Sequence, residues 1–328
     1  MIATVADPSQ VAQARRRVTE FAGQAGASQA KLDHIAIAVT ELATNLLKHA
    51  AGGEILAERF HDRDGIGVDV LALDRGNGMA DVDRCMQDGY SSAGSLGQGL
   101  GAVSRQADTM RIWSQPDRGT VILARFVLQA SPTASRLQCG SATSAYPGET
   151  VCGDAWAFAD TAAGPALLVA DGTGHGLEAA RAANLAVDIF CKHPGETCEE
   201  LVHRMHRALV PTRGAALAVA RIDAAAQLIR YAGIGNISAT MIAGGEVRHM
   251  VSNNGIAGHL SPRVREFNYP FGDPPLLILH SDGISTRWDL NAYPGLTAQH
   301  PSLVAGVLLR DFRRGRDDAS VVALRMLQ

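Results

Sequence analysis

The chain has 328 residues, and 30 Lys plus Arg against 33 Asp plus Glu leave a formal charge of -3. Domains run to roughly 100–200 residues, so this length predicts two of them, and 46% hydrophobic residues are enough for a core in each. So even a charge balance gives no electrostatic ground for nucleic acid or an anionic membrane as the main partner. The basic clusters Arg15-Arg16-Arg17 and Arg313-Arg314-Gly315-Arg316 read as solvated faces. Cys85, Cys139, Cys152, Cys191 and Cys198 are odd in number and lack a CxxC pair, which argues against a disulfide framework and a structural zinc site. The opening MIATVADPSQ has neither the basic start nor the apolar run of a signal peptide. No apolar run approaches the ~18 residues a membrane-spanning helix needs, so the expectation is a cytoplasmic protein.

Asp7-Pro8 pairs a capping side chain with proline at the first helical position and predicts a helix to about residue 23. Ile35, Val39, Leu42 and Leu46 recur at helical spacing and predict a second helix over 31–50. Strand-like runs follow at 54–60 and 66–73, then a stretch over 75–98 rich in Gly, Ser and Asp with little periodicity, which reads as a loop. A short helix from Gly99 and strands over 110–114 and 120–128 close the first domain, 1–128. Gln129-Ala-Ser-Pro-Thr-Ala-Ser135 has the composition of a linker, placed at 129–136, and a second domain spans 137–328. There, strands are expected at 141–146, 151–159, 166–170, 215–222, 228–232, 239–242, 276–280 and 320–325. Helices at 177–191 and 198–209 give an α/β arrangement of sheets and helices.

In the first domain, Glu41 and Asn45 are four apart and project from one helix face, opposite the apolar stripe. Asp74-Arg-Gly-Asn-Gly78 follows a strand, and Gly97-Gln-Gly99-Leu-Gly101 opens a helix. An Asn oxygen is a hard ligand suited to Mg²⁺. A Glu one turn away is placed to orient or deprotonate a hydroxyl, and the glycines let backbone N–H groups approach phosphates at a helix N-terminus. Each motif alone is more often surface polarity or a turn; their order and spacing carry the signal. ELATN, DRGNG and GSLGQGLG together resemble the N box and two glycine boxes of the GHKL ATPase superfamily, with its Bergerat α/β sandwich. Within it, the run Met86 to Gly101 is similar to the small serine kinases related to anti-sigma factors, the RsbT-like group. That resemblance implies Asn45 on Mg²⁺, Glu41 as catalytic base, Asp74 on adenine, and Gly76, Gly78, Gly97, Gly99 and Gly101 around ATP. No phosphotransfer-histidine helix precedes the motifs, and His34 and His49 are given no role.

The second domain carries Gly153-Asp154, Asp171-Gly-Thr-Gly-His-Gly176, Ser281-Asp282-Gly283 and Asp317-Asp318. Asp-Gly alone is a common turn dipeptide. Carboxylates beside apolar strand-like runs and next to glycines are, however, what a Mg²⁺ or Mn²⁺ cluster needs. The composite resembles the PPM-type phosphatases of the SpoIIE and RsbX group, a β-sandwich flanked by helices. It implies metal ligands Asp154, Asp171, Asp282 and Asp317, the Gly172 carbonyl as a further ligand, two Mn²⁺ or Mg²⁺ ions, Asp318 behind them, and His175 in the tight turn. No arginine beside Asp154 offers itself for phosphate, and a calcium loop is disfavoured by the irregular spacing. Together the two resemblances imply opposing serine/threonine kinase and phosphatase activities on a STAS-domain partner in partner switching. The alternative is a nucleotide-dependent binding or sequestering module that regulates the attached phosphatase.

Overall fold

The structure is a computed structural model that describes residues 1–82, 99–131, 136–259 and 263–327. Most of the stretch read as a loop over 75–98, and residues 132–135 of the expected linker, lie outside the described residues. The described residues gather into two compact units. The first holds 1–131 with Gln138–Ala142 and Asp289–Asp311; the second holds Thr143–Trp288 and 312–327 with 136–137. Sequence boundaries at 128 and 137 therefore leave out a C-terminal segment, 289–311, that the first unit takes up. No helix among the described residues is long and apolar enough to cross a membrane.

In the first unit, β1 (Ile2–Val5), β2 (Gly53–Asp62), β3 (Gly65–Leu73), β4 (Thr109–Ser114) and β5 (Thr120–Ala130) form an antiparallel sheet of order β1-β2-β3-β5-β4. Helix α1 (Pro8–Gln24) starts on a capping box in which Asp7 Oδ1 accepts the Ser9 N–H at 2.8 Å and Gln10 reaches back to the Asp7 N–H. Helix α2 (Gln29–Ala50) is capped by Ser28 and ends at Ala51 in the left-handed region. With α3 (Gly99–Gln106) these helices bury Val18, Ile35, Val39, Leu42, Leu46 and Val103 against one sheet face, which contributes Ile55, Val70, Ile122 and Phe126 among others.

Strands β3 and β5 read as near-continuous apolar runs because their other face is buried as well. Leu71, Leu73, Val121 and Leu123 point there, and Gly306 packs onto Leu73 and Val121. Gly306 belongs to a helix at Pro301–Phe312 that is buried nearly all round, as its unbroken apolar run requires; the motif reading passes over it.

A buried charge network sits in this second layer. Arg125 is fully buried and uses all five of its donors: Nε to Asp69 Oδ1 (2.8 Å), Nη1 to Asp62 Oδ2 and Asp64 Oδ2 (both 2.8 Å), and Nη2 to Asp69 Oδ2 (2.9 Å) and the Cys139 carbonyl (3.2 Å). Ser302 Oγ–H also donates to Asp69 Oδ2, at 2.7 Å. Burial opposes the Arg125 charge, but Asp69 and then Asp62 overcome it, so the guanidinium is held protonated well beyond its ordinary range. Asp62, Asp64 and His300 lie close enough together to hold an ion, but Arg125 already takes both carboxylates.

The second unit has two sheets. One has the order β13-β10-β9-β8-β7, from β7 (Asp154–Ala159), β8 (Ala166–Gly172), β9 (Ala215–Asp223), β10 (Leu228–Ile234) and β13 (Phe267–Pro270). The other runs β12-β11-β14-β15, from β11 (Ser238–Ala243), β12 (Glu246–Met250), β14 (Leu276–His280) and β15 (Ala319–Met326). Strand β6 (Leu137–Ser144) is where the chain passes from one unit to the other. Helices α4 (Leu177–Lys192) and α5 (Cys198–Leu209) cover the first of these sheets, packing Ala186, Phe190, Val202 and Met205 onto Leu168, Leu217 and Val219. The helix at Pro301–Phe312 is α6. Strands β1, β12 and β13 are short and have no motif beside them, and only the structure reveals them.

Breaking a buried ion pair from one side costs about 3–5 kcal/mol, because it strands the partner charge. Arg125→Ala should lower stability by that amount, read as a shift in the chemical-denaturation midpoint. Asp64→Asn, whose side chain is 31% exposed, should cost about 1 kcal/mol or less. Equal, small effects would contradict the network's role.

Candidate active sites

The first site lies along α2. A side chain built on Gly99 would begin 3.2 Å from Glu41 Oε2 and 3.3 Å from Asn45 Oδ1, so the start of α3 is seated directly against the ExxxN pair. Five residues beyond Asn45, about 7.5 Å along the helix axis, Gly76 packs against Ala50 and the His49 carbonyl. One helix thus carries both halves of the constellation. Asp74 caps its own loop: Oδ1 accepts the Gly76 N–H (2.8 Å) and the Thr120 N–H (3.1 Å), while Oδ2 takes no hydrogen bond among the described residues. Burial pushes the Asp74 carboxyl above its ordinary value, against those backbone donors.

Gly78 adopts φ +66° with the Gln115 carbonyl pressed against it, a place closed to any side chain. Gly101 lies in the first turn of α3. Gly97 lies outside the described residues. Motif reading misses Ser114 and Thr120. Ser114 Oγ accepts the Met79 N–H at 2.7 Å and meets Thr120 Oγ1 at 2.9 Å, and the two brace the Asp74 loop from β4 and β5. Nothing in spacing marks them, since they reach the loop only through strand pairing.

The loop is also held from α6. Arg310, 3% exposed, donates from Nη1 to the Asp74 carbonyl at 2.8 Å, and Arg75 donates to the Arg310 carbonyl.

The second site forms where the two sheets of the second unit meet. Asp154 and Asp171 are directly opposite one another on β7 and β8. Ser281 Oγ–H, from the turn after β14, donates to Asp154 Oδ2 at 2.6 Å and itself accepts the Ser320 N–H at 3.0 Å. Gly283 approaches the Asp318 carbonyl so closely that a Cβ would sit 1.9 Å from it, which brings Asp282 beside Asp317. A cleft of about 470 Å³ is lined by Asp171, Asp282 and Asp317 together with Thr173, Gly174 and Asn236.

Four carboxylates named from the sequence are therefore brought together, and Asp318 joins them. Gly172 is adjacent, its N–H donating to the Gly153 carbonyl at 3.2 Å. Burial, then its four neighbours beginning with Asp154, raises the Asp171 carboxyl far above the usual range; Asp154 is raised first by burial too. Asp282 rises through burial and then Asp317.

The donor set is all oxygen, as Mg²⁺ and Mn²⁺ prefer. Asp154 Oδ1 and Asp318 Oδ2 are buried with no hydrogen-bond partner among the described residues, although their other oxygens are fixed by Ser281 and by the Tyr146 N–H. Buried carboxylate oxygens of that kind call for a cation, so the residues fit a metal cluster. Asn236, which donates to Asp282 Oδ2 at 2.7 Å, carries no motif and is found only in three dimensions. His175 accompanies Glu149 (2.9 Å) and stacks on Tyr146, away from the role of ligand.

A helix-covered antiparallel sheet with its ExxxN helix and a PP2C-type fold with a carboxylate cluster define a histidine kinase-like ATPase domain joined to a PP2C-type phosphatase domain. Comparison with known proteins agrees. The family described as Histidine kinase-like ATPase domain matches residues 4–126, and Stage II sporulation protein E (SpoIIE) matches 162–327. The chain belongs to the SpoIIE family, and its N-terminal part belongs with the RsbT-type kinases. It is 37% identical over 112 residues to the serine/threonine-protein kinase RsbT of Bacillus subtilis, covering 34% of this chain and 82% of RsbT. It is 32% identical to the anti-sigma F factor of Pasteuria penetrans, covering 36% of this chain and 83% of that protein. Among solved structures, a chain from work on the bacterial stressosome as a system controlling secondary messenger signalling matches at TM-score 0.53 and 31% identity, over 58% of this chain and all of that one. The PP2C phosphatase domain of Bacillus subtilis SpoIIE, with a fragment of its regulatory domain, matches at TM-score 0.50 and 16% identity, over 97% and 94% of the two chains, and shows the fold.

Carboxyls raised above their unfolded value of 3.8 bind protons more tightly when folded. Stability of the metal-free protein must then fall as pH rises above about 4 through the raised values, and the full penalty is present above them. Asp171→Asn should accordingly raise the metal-free melting temperature at pH 8, by about 2–4 °C for each kcal/mol of repulsion removed. It should also shrink the gain on adding Mn²⁺, which for wild type is about 2.7 kcal/mol at 100 times Kd. Differential scanning calorimetry with and without EDTA reads both; a metal-free variant less stable than wild type would contradict the repulsion.

Proposed function

We propose that the chain phosphorylates and dephosphorylates serine or threonine on STAS-domain partners, the first unit transferring phosphoryl from ATP and the second removing it. Support for the second activity rests on one observation above others. Three aspartates line the cleft with Asp154 and Asp318 buried beside them, and one buried oxygen of each of those two has no hydrogen-bond partner among the described residues. The STAS class follows from what RsbT-type relatives imply and belongs to the proposal.

In the first unit, Glu41 orients the attacking hydroxyl and accepts its proton, and the neighbouring Asn45 Oδ1 offers the hard oxygen for Mg²⁺. Asp74 keeps Oδ2 for the adenine amino group while Gly76 and Thr120 hold Oδ1. ATP with its Mg²⁺ supplies the phosphoryl group and the charge neutralisation that such transfer requires. In the second unit, Ser281, Asn236 and the Tyr146 N–H each fix one oxygen of a carboxylate, so the opposite oxygens of Asp154, Asp282 and Asp318 are pre-aimed. Two divalent ions held by Asp154, Asp171, Gly172, Asp282 and Asp317 would activate water and offset the phosphate's charge.

A second reading, in which the first unit is a nucleotide-dependent binding module that regulates the phosphatase, is favoured by the clasp between Arg310 and the Asp74 loop. Segment 289–311 belongs to the first unit, and six residues further on the chain supplies Asp317.

Phosphate release from a phosphoserine-bearing STAS protein should require Mn²⁺ or Mg²⁺, stop with EDTA, and fall to background in Asp171→Asn. Glu41→Gln should slow phosphorylation by about 10²–10⁴-fold while ATP and partner binding persist. If phosphorylation is absent from wild type and ATP instead changes the phosphatase rate, an effect lost in Arg75→Ala, the second reading replaces the first. Release that ignores metal would overturn the phosphatase assignment.

A further inference from the structure

The described residues that line the acidic cleft include no lysine or arginine, and the sequence offers no arginine beside Asp154. The structure brings one from elsewhere. Gly174, in the middle of the Asp171–Gly176 turn, lines the cleft and has φ +90°. Beside the position its Cβ would take lies Arg213, whose Nη1 is 3.3 Å away. Arg213 comes just ahead of β9, 39 residues away from Gly174, so no spacing rule links them.

The backbone at Arg213 is pinned on both sides. The Thr173 N–H donates to the Gly214 carbonyl at 3.0 Å, His259 Nε2 meets the Arg213 carbonyl at 2.9 Å, and Thr212 Oγ1 accepts the Gly214 N–H at 3.0 Å. The residue itself is exposed, and its guanidinium makes no ion pair among the described residues. Three other arginines of this unit are committed: Arg221 to carbonyls of the Pro194 and Glu196 turn, Arg181 to Glu178, and Arg313 to Ser144 Oγ; Arg314 bears electrostatically on Asp282 of the cluster. Backbone immobilised while the charged group stays uncommitted, next to the rim residue Gly174 of an acidic cleft, suits an arginine that binds a ligand anion. A planar guanidinium matches a phosphate oxygen pair in a way a lysine ammonium does not.

We propose that Arg213 is the phosphate-binding residue of the second unit, seating the phosphoryl group of a phosphoserine or phosphothreonine ester at the Gly174 rim of the cleft. This rests on the phosphatase reading above. Gly174 is glycine first because of its φ of +90°, and a side chain there would also crowd the guanidinium.

The test uses the full chain loaded with Mn²⁺ and inorganic phosphate as the probe. Calorimetric titration is carried out on wild type, Arg213→Ala and Arg213→Lys, with kcat and KM for a phosphoserine STAS protein measured in parallel. Arg213→Ala should weaken phosphate binding about tenfold and raise KM similarly, leaving kcat within about twofold and Mn²⁺ affinity unchanged; Arg213→Lys should recover part of both. Unchanged phosphate affinity in Arg213→Ala, or loss of kcat with KM unaltered, would overturn the assignment, as would a Mn²⁺-loaded wild type that binds no phosphate. A wild type that binds phosphate through Arg213 yet releases none from phosphoserine would refute the phosphatase reading instead.

Discussion

Like charge at close quarters is the constraint on which the second unit is built. Asp154, Asp171, Asp282, Asp317 and Asp318 are drawn from four separate places in the chain into one cluster, and burial together with mutual repulsion holds three of them above their ordinary ionisation range. Each sits at a strand end or in the turn beside one, because only there can carboxylates from two sheets meet. The protein spends stability on this arrangement. Hydrogen bonds from Ser281, Asn236 and the Tyr146 backbone fix individual oxygens without neutralising them, which leaves the site dependent on cations for its balance.

The first unit solves the opposite problem. Its sheet buries one face under three helices and the other under a helix from the far end of the chain, and the Arg125 guanidinium in that second layer is matched by three carboxylates, one of them braced by a hydroxyl, and a carbonyl. Buried charge of this kind does little for net stability compared with apolar packing, but it tolerates very few alternative arrangements. It therefore sets where segments 138–142 and 289–311 lie on the sheet. The same far segment ends at Arg310 on the loop of Asp74, so the geometry expected to receive adenine depends on residues well over two hundred positions away.

Much of this was legible in the chain because local rules carried it. The capping box at Asp7, the helical stripe from Ile35 to Leu46, and the glycine-flanked aspartates after apolar runs all announce themselves within a few residues. What escaped was carried by distance. Helix α6 has a plain apolar run, but it lies between two motifs of the second half and packs in the first unit, so a boundary drawn at 128 and 137 could not include it. Ser114, Thr120, Asn236 and Arg213 have no signature of their own and gain meaning only from the strand pairing and turns that bring them to a motif. Gly97 lies outside the described residues, and the nucleotide contacts assigned to it and to Gly101 stand as part of the proposal.

On the proposed function, one chain writes and erases the same phosphate. The most direct measurement is ATP turnover by the full chain with a STAS protein, followed together with the phosphorylation state of that protein. Wild type should hydrolyse ATP continuously and only when the STAS protein and a divalent ion are present, with little phosphoprotein building up. Asp171→Asn should consume one ATP per STAS protein and then stop with the phosphoprotein accumulated. Continuous hydrolysis that needs no STAS protein, or an Asp171→Asn variant that cycles like wild type, would contradict the account.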